Sequence, residues 1–149
     1  MPKKIILNSN NYYYTYLDDV FNGLGDIVRE YNWLIADYEC NYYPCDILQQ
    51  NRYNYLWLSS NELFDLIIGK DVQFIWGVFL AFEKHIKKED ILKYPLPSSH
   101  NNVIVFQNPL SELEILSLDS RELYILSKKD YYINDFLLKF PETEEYIDD

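Results

Sequence analysis

The chain has 149 residues, 48% hydrophobic and 25% charged, proportions that suit one globular domain over residues 1–149 and exclude whole-chain disorder. Acidic side chains outnumber basic ones 24 to 13, for a formal charge of −11. That field repels phosphate backbones and anionic lipid, which argues against nucleic acid and membrane as partners, and it draws cationic proteins.

Residues 3–7 form a short apolar run that reads as a strand, and 8–14 follow as a tyrosine-rich connection. Thr15, with Asp18 three residues on, is expected to cap a helix. Leu17, Val20, Phe21, Leu24, Ile27, Val28 and Tyr31 form its apolar stripe. Gly23 and Gly25 each weaken that helix by about 1 kcal/mol relative to alanine; they permit close packing or mark a break. Residues 32–40 read as a strand with Trp33, Ile35 and Asp37 on one side and Leu34, Ala36 and Tyr38 on the other. From 41 to 55 the pattern dissolves into a long surface loop with room for one helical turn.

Leu56, Trp57 and Leu58 suit a short strand. Ser59 and Glu62 make a capping box for a helix carrying Leu63, Phe64, Ile67 and Ile68, which Gly69 ends. Residues 72–82 are almost continuously apolar and aromatic, the signature of a central strand buried on both faces. A short charged helix fits 83–93, and 94–99 resemble a linker. Residues 102–106 read as a strand. Residues 112–118 and 122–126 form a hairpin across Asp119-Ser120-Arg121. Ser127 and Asp130 read as a capping box for a last helix, with Ile133, Phe136, Leu137 and Phe140 buried and Pro141 as the stop. Residues 142–149 form an acidic tail. The element order predicts an α+β fold: a largely antiparallel sheet with two to four helices packed mainly on one face.

The apolar run Ile5-Ile6-Leu7 is too short for a signal peptide, and the nine residues of 74–82 fall well below a membrane span. A soluble, cytoplasmic protein is expected, with Cys40 and Cys45 as reduced thiols. Their spacing, with His85 and His100 fifteen residues apart, does not fit a zinc site. Neither cysteine has a glycine-flanked elbow or a helix start aimed at it, and both histidines sit in polar surroundings. No phosphate loop, dinucleotide fingerprint, G-x-S-x-G or H-E-x-x-H occurs. The expectation is no catalytic residue, no metal and no cofactor.

Aromatic residues reach 17%, with 15 tyrosines, more rings than one core absorbs, so some are expected at the surface as low-entropy contact area. They concentrate in one segment. Asp37 and Glu39, two apart on a strand, point to one face and are followed by Tyr42, Tyr43, Asp46, Tyr53 and Tyr55. Carboxylates with tyrosines grip lysine and arginine through ion pairs, hydrogen bonds and cation–π contacts. The same groups suit a sugar cleft, or acid–base work by paired carboxylates. These seven residues are the candidate binding surface.

In the C-terminal third, Leu113-Glu114-Ile115, Leu118-Asp119-Ser120, Leu123-Tyr124-Ile125-Leu126-Ser127, Lys128-Lys129-Asp130, Phe136 and Phe140-Pro141 resemble a segment of small bacterial cytosolic proteins similar to polymorphic-toxin immunity proteins. That resemblance implies a small acidic protein that binds and neutralises one cognate toxin, with no shared catalytic residues to carry over. The leading expectation is therefore an acidic protein-binding module. A small-ligand or carbohydrate-binding protein or enzyme, and a structural or regulatory domain, are the alternatives.

Overall fold

Alternating and continuous apolar runs take different positions in the fold. The structure, a computed structural model, describes residues 3–8, 16–100 and 103–146. Its strands are β1 (Lys3–Asn8), β2 (Tyr31–Cys40), β3 (Tyr55–Leu58), β4 (Phe74–Glu83), β5 (Leu113–Leu118), β6 (Glu122–Ser127) and β7 (Glu144–Glu145). They form one sheet in the order β3-β2-β4-β5-β6-β1-β7, and every neighbouring pair is antiparallel. The protein is α+β, as its element order predicts. In β4, Phe79 and Ala81 belong to one core and Val78, Leu80 and Phe82 to the other. A strand covered on both sides has no solvent face to mark with polar residues, which accounts for the unbroken run.

Helices α1 (Leu17–Leu24), α2 (Asp46–Gln50), α3 (Ser60–Leu66) and α5 (Asp130–Lys139) cover the first face. Leu17, Leu24, Leu48, Leu63, Ile133 and Phe136 meet Trp33, Ile35 and Phe79 there. Each large apolar side chain so buried stabilises the fold by roughly 1.5–3 kcal/mol. The glycines divide their two expected roles. Gly25, at φ 83°, breaks α1 before a 3₁₀ turn at Asp26–Glu30. Gly23 lets α5 approach, since a Cβ there would lie 2.6 Å from Phe136 Cδ2. At α3 both capping-box bonds form, 3.2 Å into Ser59 Oγ and 3.0 Å into Glu62 Oε1.

Two other caps differ from expectation. Thr15 lies outside the described residues, and the N-cap of α1 is Tyr16, without a side-chain bond. Ser127 does not cap α5, whose N-cap is Lys129. It stays in β6, paired with Lys3 and Leu113, and its hydroxyl accepts the Lys129 N–H at 3.1 Å and donates to the Lys129 carbonyl at 2.8 Å. The helix therefore begins two residues later than its capping-box pattern suggests.

The second face is covered by α4 (Lys88–Ile91) and by residues within 103–110, Ile104, Phe106 and Leu110 among them. Residues 103–106, expected to be in a strand, are not in the sheet, and Asn102 lies outside the described residues. Both edges of β5 are occupied by β4 and β6. The segment instead crosses the face, with Ile104 buried and Val103 and Val105 exposed. Glu114 fastens its end. This side chain, in a residue only 3% exposed, accepts the amides of Gln107 at 2.8 Å and Asn108 at 3.1 Å and the Ser111 hydroxyl at 2.6 Å. Burial pushes its pKa up, and those hydrogen bonds only partly oppose the rise. Within the acidic segment 142–149, Glu144–Glu145 pairs with β1 as a further strand. Among the described residues no helix is long and apolar enough to cross a membrane.

Candidate functional site

A β-bulge organises the site. Between the pairs Ala36↔Val78 and Glu39↔Trp76, β2 carries Asp37 and Tyr38 where β4 carries only Gly77. The extra residue reverses the strand's alternation: Trp33 and Ile35 face the helical core before it, and Tyr38 and Cys40 face that core after it. Tyr38 is thus on the Trp33 side, opposite to expectation. Asp37 takes φ 49°, a left-handed conformation uncommon outside glycine, which aspartate accepts more readily than most residues. Bulges of this kind re-aim side chains beside binding sites.

The contacts of Asp37 come from the segment after α4. Asp37 Oδ2 accepts the Ser99 amide and the Ser99 hydroxyl, each at 2.7 Å, and the Ser98 hydroxyl at 3.3 Å. His100 Nε2 lies 3.9 Å from the same oxygen. Burial alone would raise the carboxyl pKa. The Ser99 bonds, the nearby His100 and Ser98 outweigh it, so the group is held below the ordinary carboxylate value. Ser99 donates directly to the carboxylate with no imidazole between them, which is not the order that activates a hydroxyl for attack. Here the three side chains latch residues 98–100 onto the bulge.

Beside the latch lies a cleft of about 320 Å³ lined by Asp37, Tyr38, Glu39, Tyr43, Arg52, Tyr53, Trp76 and His100. Its walls are set by specific contacts. The Tyr38 hydroxyl donates to the Leu48 carbonyl, tying α2 to β2. The Tyr43 hydroxyl accepts the Cys40 amide at 3.4 Å. Trp76 packs against the His100 ring, with centroids 4.8 Å apart. The Arg52 guanidinium sits 4.7 Å from the centre of the Tyr53 ring. A second hollow, of about 330 Å³, shares Asp37, Arg52, Tyr53 and His100 and is completed by Leu96, Pro97 and Ser98. The ridge between the two hollows therefore carries both charge signs and a tyrosine that is 89% exposed.

Of the seven residues singled out in sequence, Asp37, Glu39, Tyr43 and Tyr53 meet in this cleft. Tyr42 lies outside it, half exposed, with its hydroxyl on the Lys70 carbonyl. Asp46 is exposed in the first turn of α2. Tyr55, on β3, packs against the second core with Lys88 Nζ 5.8 Å from its ring centre. Sequence reasoning missed Arg52, Trp76 and His100. Trp76 stood inside the apolar run assigned wholly to core, and Arg52 is a lone cation in a polar loop. His100 was read as a solvated loop residue, and its ring is indeed largely exposed.

The remaining chemistry-bearing groups are engaged elsewhere. His85 lies 3.3 Å from Glu83 in an exposed pair. Cys40 is a buried free thiol whose pKa burial pushes up, and Cys45 is free and half-buried. Among the described residues no three His, Cys, Asp or Glu side chains cluster as a metal site. A third hollow, of about 430 Å³, opens between α1 and α3. Two of its polar groups are engaged, Asp18 with the Gly69 amide at 3.0 Å and Lys139 with the Asn22 carbonyl. Comparison with known proteins adds no relative to this picture: no family model, no curated protein and no solved structure matches the chain.

Proposed function

We propose that this protein is an acidic protein-binding module whose contact face is centred on the cleft at the β2 bulge. One observation carries the proposal: a bulge and a latched loop bring two carboxylates and the rings of three tyrosines and a tryptophan around one open space, on a chain of net charge −11. Rings with carboxylates favour basic side chains, and the overall field speeds the approach of a basic protein. The most concrete form is an immunity protein that neutralises a cognate toxin in the cytoplasm, in line with the resemblance of its C-terminal third.

A second reading is favoured by Arg52 and His100. With Trp76 and the carboxylates they supply the stacking and hydrogen-bonding groups of a carbohydrate or small-ligand cleft. One experiment separates the two. Each tryptophan gives its own indole N–H resonance. Trp33 is fully buried and bonded to the Val28 carbonyl, which makes it an internal control. Titration with a basic globular protein should shift Trp76 and the backbone of residues 37–55 while Trp33 stays fixed. A response to neutral oligosaccharides alone would replace the protein-binding proposal with the second reading.

A further inference from the structure

We propose that the cleft receives one arginine side chain of the partner protein, and that Arg52 is a tethered competitor for it; this rests on the protein-binding reading above. The lining sets two carboxylates, Asp37 and Glu39, against one guanidinium, Arg52, a balance that favours a cation over an anion. Asp37 is already occupied by the latch through Oδ2. Glu39 is exposed, and its side chain makes no hydrogen bond or ion pair with another described residue, so its carboxylate can take a ligand. Trp76, buttressed by His100, offers a firm flat wall.

A flat, weakly hydrated guanidinium stacks on rings and pairs with a carboxylate through two parallel bonds, whereas an ammonium does neither so well. The molecule already shows the stacking half of this chemistry. Arg52 rests on Tyr53 in the same cleft, without a hydrogen bond or ion pair to another described residue. An incoming arginine seeks the ring and carboxylate surfaces that Arg52 borders. A site that is open for only part of the time binds more weakly by that fraction. Removing Arg52 should therefore tighten the binding of a cationic ligand.

The test uses the full chain and three capped tripeptides, acetyl-Gly-Xaa-Gly-amide with Xaa arginine, lysine or the uncharged citrulline. Binding is followed by calorimetry and the Trp76 indole resonance, with Trp33 reporting that the fold is intact. The arginine peptide should bind best, and Arg52→Ala should tighten it by about three- to tenfold. Glu39→Gln should weaken it by about tenfold, the size of one ion-paired contact. Loss of binding in Arg52→Ala would overturn the proposal, because Arg52 would then be part of the site and not a competitor for it. Lysine binding as tightly as arginine would overturn the guanidinium assignment. If no peptide moves Trp76 in either protein while a basic protein still shifts residues 37–55, the arginine pocket fails and the protein-binding face stands. A response only to oligosaccharides removes both.

Discussion

Replacing Gly23 by alanine sets two known effects against each other. In a free helix the change is favourable by about 1 kcal/mol, because glycine is the costlier residue. In this protein the added Cβ would meet Phe136 Cδ2 at 2.6 Å and Phe140 Cε2 at 2.8 Å. Carbon atoms pack best near roughly 3.5–4.0 Å, so the rings must retreat by about 1 Å. Phe136 is fully buried and stacked on Phe140 with ring centroids 4.7 Å apart, which leaves no easy rotamer to move into. Overpacking of this kind costs about 1–3 kcal/mol. The net expectation is a loss of about 1 kcal/mol, or about 2–4 °C in Tm for a chain of this size. Urea titration followed by circular dichroism measures it, and Phe140→Leu in the Gly23→Ala background should recover part of the loss. A more stable Gly23→Ala protein would refute the close approach of α1 and α5. Gly25→Ala is the contrast: open space surrounds that position, and any loss there comes from its positive φ alone.

Glu114→Gln leaves one buried amide without an acceptor, at a cost of about 1–3 kcal/mol. Because the Glu114 pKa is raised on folding, its protonation favours the native state. The stability gap between wild type and Glu114→Gln should therefore widen as pH falls through the native pKa; a gap that narrows would contradict the buried placement. Asp37 is the opposite case. Its pKa is lowered on folding, so the latch is present above the ordinary carboxylate pKa and lost as pH falls through the native value. Asp37→Ala should speed hydrogen exchange at the Ser99 amide, and unchanged protection there would show that the carboxylate does not hold the loop. In native protein Cys45 should be alkylated well before Cys40, whose burial disfavours the thiolate; equal rates would place Cys40 at the surface.

Local signals in the chain were legible where the structure keeps them local. The Ser59–Glu62 capping box acts within one turn and appears as read, whereas α3 ends at Leu66 with Ile67 as its C-cap, before Gly69, which takes φ 81° in the turn that follows. The β4 run was legible because burial on both faces leaves a continuous stretch. The bulge was not, although it leaves a trace. Inward-facing residues switch from Trp33 and Ile35 to Tyr38 and Cys40, but Leu34 and Ala36 are also apolar and hide the change of parity. Residues 103–106 alternate like a strand, yet pairing depends on a free edge, which is a property of the assembled sheet. For the site, composition pointed to Asp37, Glu39, Tyr43 and Tyr53, while Arg52, Trp76 and His100 join them only through tertiary contacts. Ser127 followed the cap pattern, but its sheet pairing took precedence.

The two margins of the sheet carry a consequence for how anything attaches to this molecule. An open strand edge is a template for adding further strands, and natural proteins blunt it with brevity or charge. On one margin β3 runs for only four residues. On the other, the outermost strand is two exposed glutamates lying against β1. Among the described residues each outermost strand is thus short or charged, features that disfavour fibril growth and domain swapping. On the protein-binding reading proposed above, a partner would then be held by side chains and not by an added strand.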